Sequence, residues 1–335
     1  MYRFKHKLFG ISCCLILLGC DIPTAMPILE QRWILPLEQA KIGVEELLPA
    51  GVSLNDGVLE VSIDTITTSS SLNAMCVDCA ALNGSTAAVP AFTSSFNGSV
   101  DLPANISSVE ISSGSVHVAV TNGLSFDPLA GGGLIEATIL DGEGGLQLAQ
   151  LIFSGALAPG ITLTQSISIG NSNVGNEVFA VIKVISPGGQ IAPINTSEQL
   201  SVATTGSALI MGSTTVSLEG HAVEVDVVKL DLDHIGPEII ERIVNGSLIL
   251  EVTNPFGVSL SGNINIGPTS KSFSISEDGR STTTISYTRN ELTSFLGEKG
   301  VTLSLSGTAN GTSITLSSHQ ELTIEGTIDC LIRIG

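Results

Sequence analysis

Residues 245–256 read NGSLILEVTNPF. Leu248, Leu250 and Val252 alternate with more polar neighbours, the period of two that marks a strand with one buried face. Asn254-Pro255 ends the pattern, because proline has no N–H to give a sheet ladder. A similar phrase, SGSVHVAVTN, occupies 113–122 and sets Val116, Val118 and Val120 in the alternating places. Outward from these two phrases, pieces rich in Val, Ile and Thr recur between Gly, Asn and Pro, among them VLEVSIDTIT, LIEATIL, ITLTQSISI, VFAVIKVIS, TTVSL and AVEVDVVKLDL. Many short strands with turn signals between them predict an all-β chain built as sandwiches.

The likeness of the two phrases extends further. SVDLPANISSVEISSGSVHVAVTN (99–122) aligns with KLDLDHIGPEIIERIVNGSLILEVTN (229–254) when two residues are inserted in the second copy. Each runs from a strand ending Asp-Leu, through a turn or short helix, to Gly-Ser and a strand closing in Thr-Asn. Asparagine side chains bond nearby backbone and favour turns, so the Thr-Asn ending reads as a stop. The expected organisation is tandem immunoglobulin/fibronectin-III-like β-sandwich modules at 89–190 and 229–335, with 191–228 a strand-rich connector or shared strands. Residues 20–88 form a tether with edge strands: Pro23, Pro27 and Pro36 forbid a continuous helix, and the chain is expected to join a sheet edge near Trp33. One or two short helices are expected. GPEIIERIV (236–244) has Pro237 in its first turn, and NELTSFLG (290–297) offers Asn290 as N-cap and Gly297 as stop.

The chain opens MYRFKHKLFGISCCLILLGC. Arg3, Lys5 and Lys7 precede an apolar run from Leu8 to Leu18, too short to span a bilayer comfortably and of the form of a signal h-region. The run ends in Leu17-Leu18-Gly19-Cys20, which resembles the lipobox of bacterial lipoproteins. The resemblance implies that residues 1–19 are a signal peptide, cleaved after Gly19, and that Cys20 carries diacylglycerol on its sulfur. An acylated N-terminus anchors a protein to a membrane without inserting it. Asp21 follows Cys20, an arrangement that favours inner-membrane retention in enterobacterial lipoproteins; inner against outer membrane stays open.

Lys and Arg number 13 against 32 Asp and Glu, a formal charge of −19. Loss of residues 1–19 removes three basic residues and no acidic ones. So acidic a chain argues against nucleic acid as a partner, since that binding rests on cations neutralising phosphates. Only 13% of residues are charged and 43% are hydrophobic, which is not a disordered composition.

From NGSLILEVTNPF onward the chain resembles the LEA-14/WHy type of late-embryogenesis-abundant domain, over roughly its last quarter. Asn254, Pro255 and Phe256 stand where that family ends a strand at Asn-Pro-aromatic. VSLSGNINIG matches its hairpin, STTTISYTRNELTSFLGEKG its Thr-rich strand and short helix, and VTLSLSGTANGTSITLSSHQELTIEGTI its terminal hairpin. The resemblance implies a fibronectin-III-like sandwich with no catalytic residues, in a family associated with desiccation tolerance and, in bacteria, with the cell envelope. The first module departs from the pattern: Gly123 follows Asn122, and GLSFDPLAGGG makes a longer connection. As a whole the chain is also similar to uncharacterised bacterial lipoproteins, a likeness that brings no function.

Motifs that carry chemistry are sparse. There is no G-x-S-x-G, P-loop, H-E-x-x-H or dinucleotide-binding glycine pattern. Cys13 and Cys14 leave with the signal, so Cys76, Cys79 and Cys330 remain in an oxidising compartment. Cys76-Val77-Asp78-Cys79 reads as a structural disulfide. Zinc would need further ligands, for which Cys330 and a histidine are the visible set, and redox activity would need a helix start in a βαβ frame. Cys330 lies in an apolar terminal strand and should pack as a small hydrophobe. In DLDHIGPEIIER (231–242), Asp231, Asp233 and Gly236 match three positions of a calcium loop, but Ile235 and Arg242 occupy places that need oxygen ligands. Asp233 is better read as a cap for the Pro237 helix. His117 is out of phase with its valines and should face away from them. His221 and His319 fall near apparent hairpin turns. A hydrolase triad can be scattered in sequence.

These features predict a non-enzymatic, membrane-anchored lipoprotein of the cell envelope, facing the periplasm or exterior. Its sandwiches would serve an unknown envelope protein or envelope support, with no cofactor or metal. The alternatives are a lipid-binding or lipid-transfer protein with an apolar groove, suggested by high mean hydropathy, and a hydrolase with a scattered site.

Overall fold

A computed structural model describes residues 28–207 and 209–334. Cys20 and its apolar leader lie outside them. Nearly every element is an antiparallel strand, so the chain is all-β and sandwich-like.

One strand order occurs twice. In the first sandwich, one sheet runs Gln147–Ser154, Leu134–Asp141, Glu177–Ser186, Phe92–Asp101. Its companion runs Thr162–Ile169, the second half of Ile106–Asn122, Gln199–Gly206, Ile66–Ser71. In the second sandwich the corresponding sheets run Thr269–Ile275, Ser259–Ile266, Val301–Ser317, Leu209–Leu230, and Arg280–Thr288, Ile243–Thr253, Glu321–Ile334, Leu29–Pro36. Ala40–Gly43 also pairs with Glu321–Ile334. Position by position, Ile243–Thr253 is the counterpart of Ile106–Asn122. Val116, Val118, Val120, Leu248, Leu250 and Val252 are all buried, so both copies of the opening phrase turn the same alternation inward.

Each sandwich takes strands from outside the boundaries that sequence suggested. The stretch 20–88 supplies an edge strand to each: Leu29–Pro36, with Trp33 opposite Cys330, lies at the edge of a sheet in the second sandwich, whereas Ile66–Ser71 lies at the edge of one in the first. Gln199–Gly206, within the expected connector, is a central strand of the first sandwich. The reason is physical. A strand finds its partner by hydrogen bonding and burial across the fold, and nothing local in its sequence names that partner.

Three long strands join the sandwiches. Residues 106–113 pair with 210–216, and 213–216 pair with 314–317, so Ile106–Asn122, Leu209–Leu230 and Val301–Ser317 each give one half to a sandwich and the other to a shared sheet. The expected turn at Glu219-Gly220-His221 is instead a bulge inside the 22-residue strand Leu209–Leu230. Gly220 has φ +63° there, a conformation that glycine adopts freely and that bends a strand without ending it. His221 lies within the strand and its Nε2 is 2.9 Å from the Glu46 carbonyl.

Two helix readings need correction. Pro237–Ile240 is a single turn whose N-cap is Gly236, with no side-chain cap; Asp233 does not cap it, because two residues and the turn separate it from the orphan N–H groups. The second helix, Arg289–Thr293, is capped by Thr288 rather than Asn290. Thr288 and Glu291 form a reciprocal capping box, which satisfies two backbone donors at once. Lys271 lies 2.7 Å from Glu291. Hydrogen bonds from Lys271 and then Thr288 push the Glu291 carboxyl down to about 2.

Candidate functional sites

The most ordered polar constellations are two buried asparagines, Asn122 and Asn254. Asn254 Nδ2 donates to the carbonyls of Val258 (2.7 Å) and Ser276 (3.2 Å), and Oδ1 accepts from the Phe256 N–H (3.2 Å). Asn122 Nδ2 donates to Phe126 (2.8 Å) and Leu157 (2.7 Å), and Oδ1 accepts from the Leu124 N–H (2.9 Å). The pattern is the same in both: the N–H at i+2, the carbonyl at i+4, and a carbonyl from the turn after the next hairpin. Each side chain ties a strand end to two loops, satisfying backbone groups that burial would otherwise orphan. In sequence these asparagines read only as stops; the signal that could have marked them as buried was the repetition of Thr-Asn itself. Gly123 follows one of them because a Cβ there would meet the Gln199 carbonyl at 2.6 Å. These are structural knots, with no side chain free to act on a ligand.

Cys76 and Cys79 are joined as a disulfide, Cα–Cα 5.3 Å, and both are buried. The short helix Leu72–Met75, capped by Ser71, leads into this turn. Serine at both positions should cost roughly 2 kcal/mol, the loop-entropy figure for so short a closure. Urea unfolding of the double variant checks the figure, and non-reducing peptide mapping should return the linked peptide; free thiols would overturn the bond. Cys330 is free and buried in the strand Glu321–Ile334 of the second sandwich, opposite Trp33. Burial, then the neighbouring Asp329, pushes its thiol up to about 11, so it stays a protonated, inert packing group. The structure does not bring Cys330 and a histidine to the Cys76–Cys79 turn.

Among the described residues, the histidines form no shared site. His117 is exposed on the outer sheet face, as its phase predicts, with Nδ1 2.6 Å from Ser166 Oγ and Nε2 3.4 Å from Ser115 Oγ. None of its hydrogen bonds involves a carboxylate. A general base needs an orienting partner and a pocket, and this pair sits on an open polar face. Asp231, Asp233 and His234 lie within 4.8 Å of one another, all exposed. Arg242 still stands where a calcium loop needs its bidentate glutamate.

Among the described residues, an apolar cavity of about 30 Å³ lies at one end of the first sandwich, between Ile63, Ile66, Ile111, Val116, Ile139 and Leu209. That is room for a water, against several hundred Å³ for a typical ligand pocket. Other hollows are polar furrows on sheet faces, such as one of about 520 Å³ lined by Ser108, Glu110, Asn171, Ser213 and Thr315. No described helix is long and apolar enough to cross a membrane.

No family model matches the chain, and no curated protein matches it. Among solved structures, a "putative secreted protein" from Parabacteroides distasonis is 11% identical with TM-score 0.35, over 90% of this chain and 99% of that one. The CBM22-1-CBM22-2 tandem domain of Paenibacillus barcinonensis Xyn10C is 8% identical with TM-score 0.18, over 88% and 97%. Both likenesses are too weak to bear on function. What the geometry itself shows is an all-β protein of paired sandwiches.

Proposed function

We propose that this chain is a non-enzymatic, lipid-anchored protein of the cell envelope, whose sandwiches hold a protein partner or support the envelope. The observation that carries this reading is Leu17-Leu18-Gly19-Cys20 behind three basic residues and an apolar run. Filled cores and sheet faces rich in Ser and Thr support an interaction role: Thr93, Ser95, Asn97 and Ser99 stand in one exposed row, and Thr282, Thr284 and Ser286 in another. The lipid-binding or lipid-transfer alternative gains no support from a cavity of about 30 Å³, nor the hydrolase from an isolated Ser-His contact. Resemblance of the last quarter to the LEA-14/WHy type agrees with an envelope role without catalysis.

Intact mass spectrometry of protein extracted from membranes tests the anchor. The expected mass lacks residues 1–19 and carries acyl groups on Cys20. A soluble protein with another N-terminus would end the proposal.

A further inference from the structure

The end of the second sandwich beside the tether differs from the rest of the molecule. Leu29 is opposite Ile334 in the ladder, so the first described strand begins where the last one finishes. Ile28, Leu29 and Ile334 form an exposed apolar corner there, 64%, 61% and 37% accessible. Only residues 21–27 separate that corner from Cys20, a reach of about 28 Å at full extension.

Charge is distributed unevenly too. Thirteen basic residues occur in the chain, and Arg3, Lys5 and Lys7 precede Cys20. Of the remaining ten, Lys229, Arg242, Arg289, Lys299 and Arg333 are exposed around this same end. The ladders place them there: Lys229 pairs with Thr302, Ile243 with Ile332, and Asn245 with Thr288. Arg32 and Lys271 lie a few residues further in. About as many acidic residues share this end, among them Glu30 paired with Arg333 and Glu291 paired with Lys271, so it is close to charge balance. The remainder has only Lys41, Lys183 and Arg280 as cations and holds most of the 32 acidic residues.

We infer that this end of the second sandwich seats directly on the phospholipid surface, with the first sandwich held outermost. The inference rests on the anchor at Cys20 proposed above. A short reach keeps the corner at the bilayer; Ile28, Leu29 and Ile334 enter the interface, and exposed Lys229, Arg242 and Lys299 meet lipid phosphates. Anionic headgroups repel the acidic remainder within a Debye length, which favours this orientation. The shared sheet leaves the second sandwich from its opposite end, through residues 213–216 and 314–317, so the first sandwich is carried away from the membrane.

Trp33 is the single tryptophan and lies on the strand that starts at Leu29, so the acylated full-length protein reports its own orientation. It is reconstituted on vesicles of phosphatidylethanolamine and phosphatidylglycerol carrying a headgroup nitroxide quencher. Trp33 emission should be quenched several-fold more strongly than that of a Trp33→Phe/Ile152→Trp variant, whose probe is exposed in the first sandwich. Ile28→Asp together with Leu29→Asp, both at exposed positions, should weaken the quenching while the protein still floats with the vesicles. Flotation with equal quenching at both positions would overturn the orientation and leave the anchor standing. Failure to float would overturn the anchor, and the orientation with it.

Discussion

Residues 229–335 made alone should fail to fold, whereas residues 221–335 continued through a short Asn-Gly turn into residues 28–48 should fold cooperatively. The first chain lacks Leu29–Pro36 and Ala40–Gly43, which pair with Glu321–Ile334, and part of the strand that pairs with 301–309. It also loses Ile42, Val44 and Leu47, all fully buried, and half-buried Trp33 and Leu35. Each buried aliphatic contributes about 1.5–3 kcal/mol, so the loss rivals the whole stability of an ordinary domain, about 5–15 kcal/mol. The second chain restores these groups, and its join is short because Leu29 already sits opposite Ile334. Circular dichroism with urea titration distinguishes the two. A cooperative transition in 229–335 alone would show that the N-terminal strands are dispensable.

Asn254→Ala and Asn122→Ala should each cost about 3–5 kcal/mol in the full chain, because each leaves two carbonyls and an N–H without their buried partner. Pro255→Ala, one residue on, should cost no more than about 1 kcal/mol, chiefly by freeing the unfolded chain. Leu250→Ala should cost about 2–5 kcal/mol, since Leu250 is 2% exposed. Urea midpoints at unchanged slope would give all four. Losses at the asparagines as small as at Pro255 would mean that water replaces their bonds, and that the knots do not hold the loops. The two asparagines occupy equivalent places, so a large loss at one and none at the other would also count against the account.

The alternation in SLILEVT and SVHVAVT was enough to assign strands and faces, because burial on one side of a pleated ladder demands period two. The same local logic misplaced the helix caps. Asn290 is a good N-cap by type, yet Thr288 wins because Glu291 stands three residues on and completes the box. It also misread Gly220: glycine after Glu219 reads as a turn, but with pairing partners on both sides the strand bends and continues. Cys76 and Cys79 could be paired from spacing and compartment; that Cys330 lies beyond their reach could not.

By itself, then, the sequence determined what depends on neighbours along the chain: an all-β composition, the inward residues of the repeated strands, the breaks at Thr-Asn, and the apolar run before Cys20. Only the tertiary structure decided which strands belong together. Leu29–Pro36 lies about three hundred residues from its partner in sequence, and Gln199–Gly206 is central to a sandwich whose other strands all precede it. The physical reason is that a ladder's hydrogen bonds are alike wherever backbone meets backbone. Register and face are written locally, but the choice of partner comes from filling a core, which is a property of the whole chain.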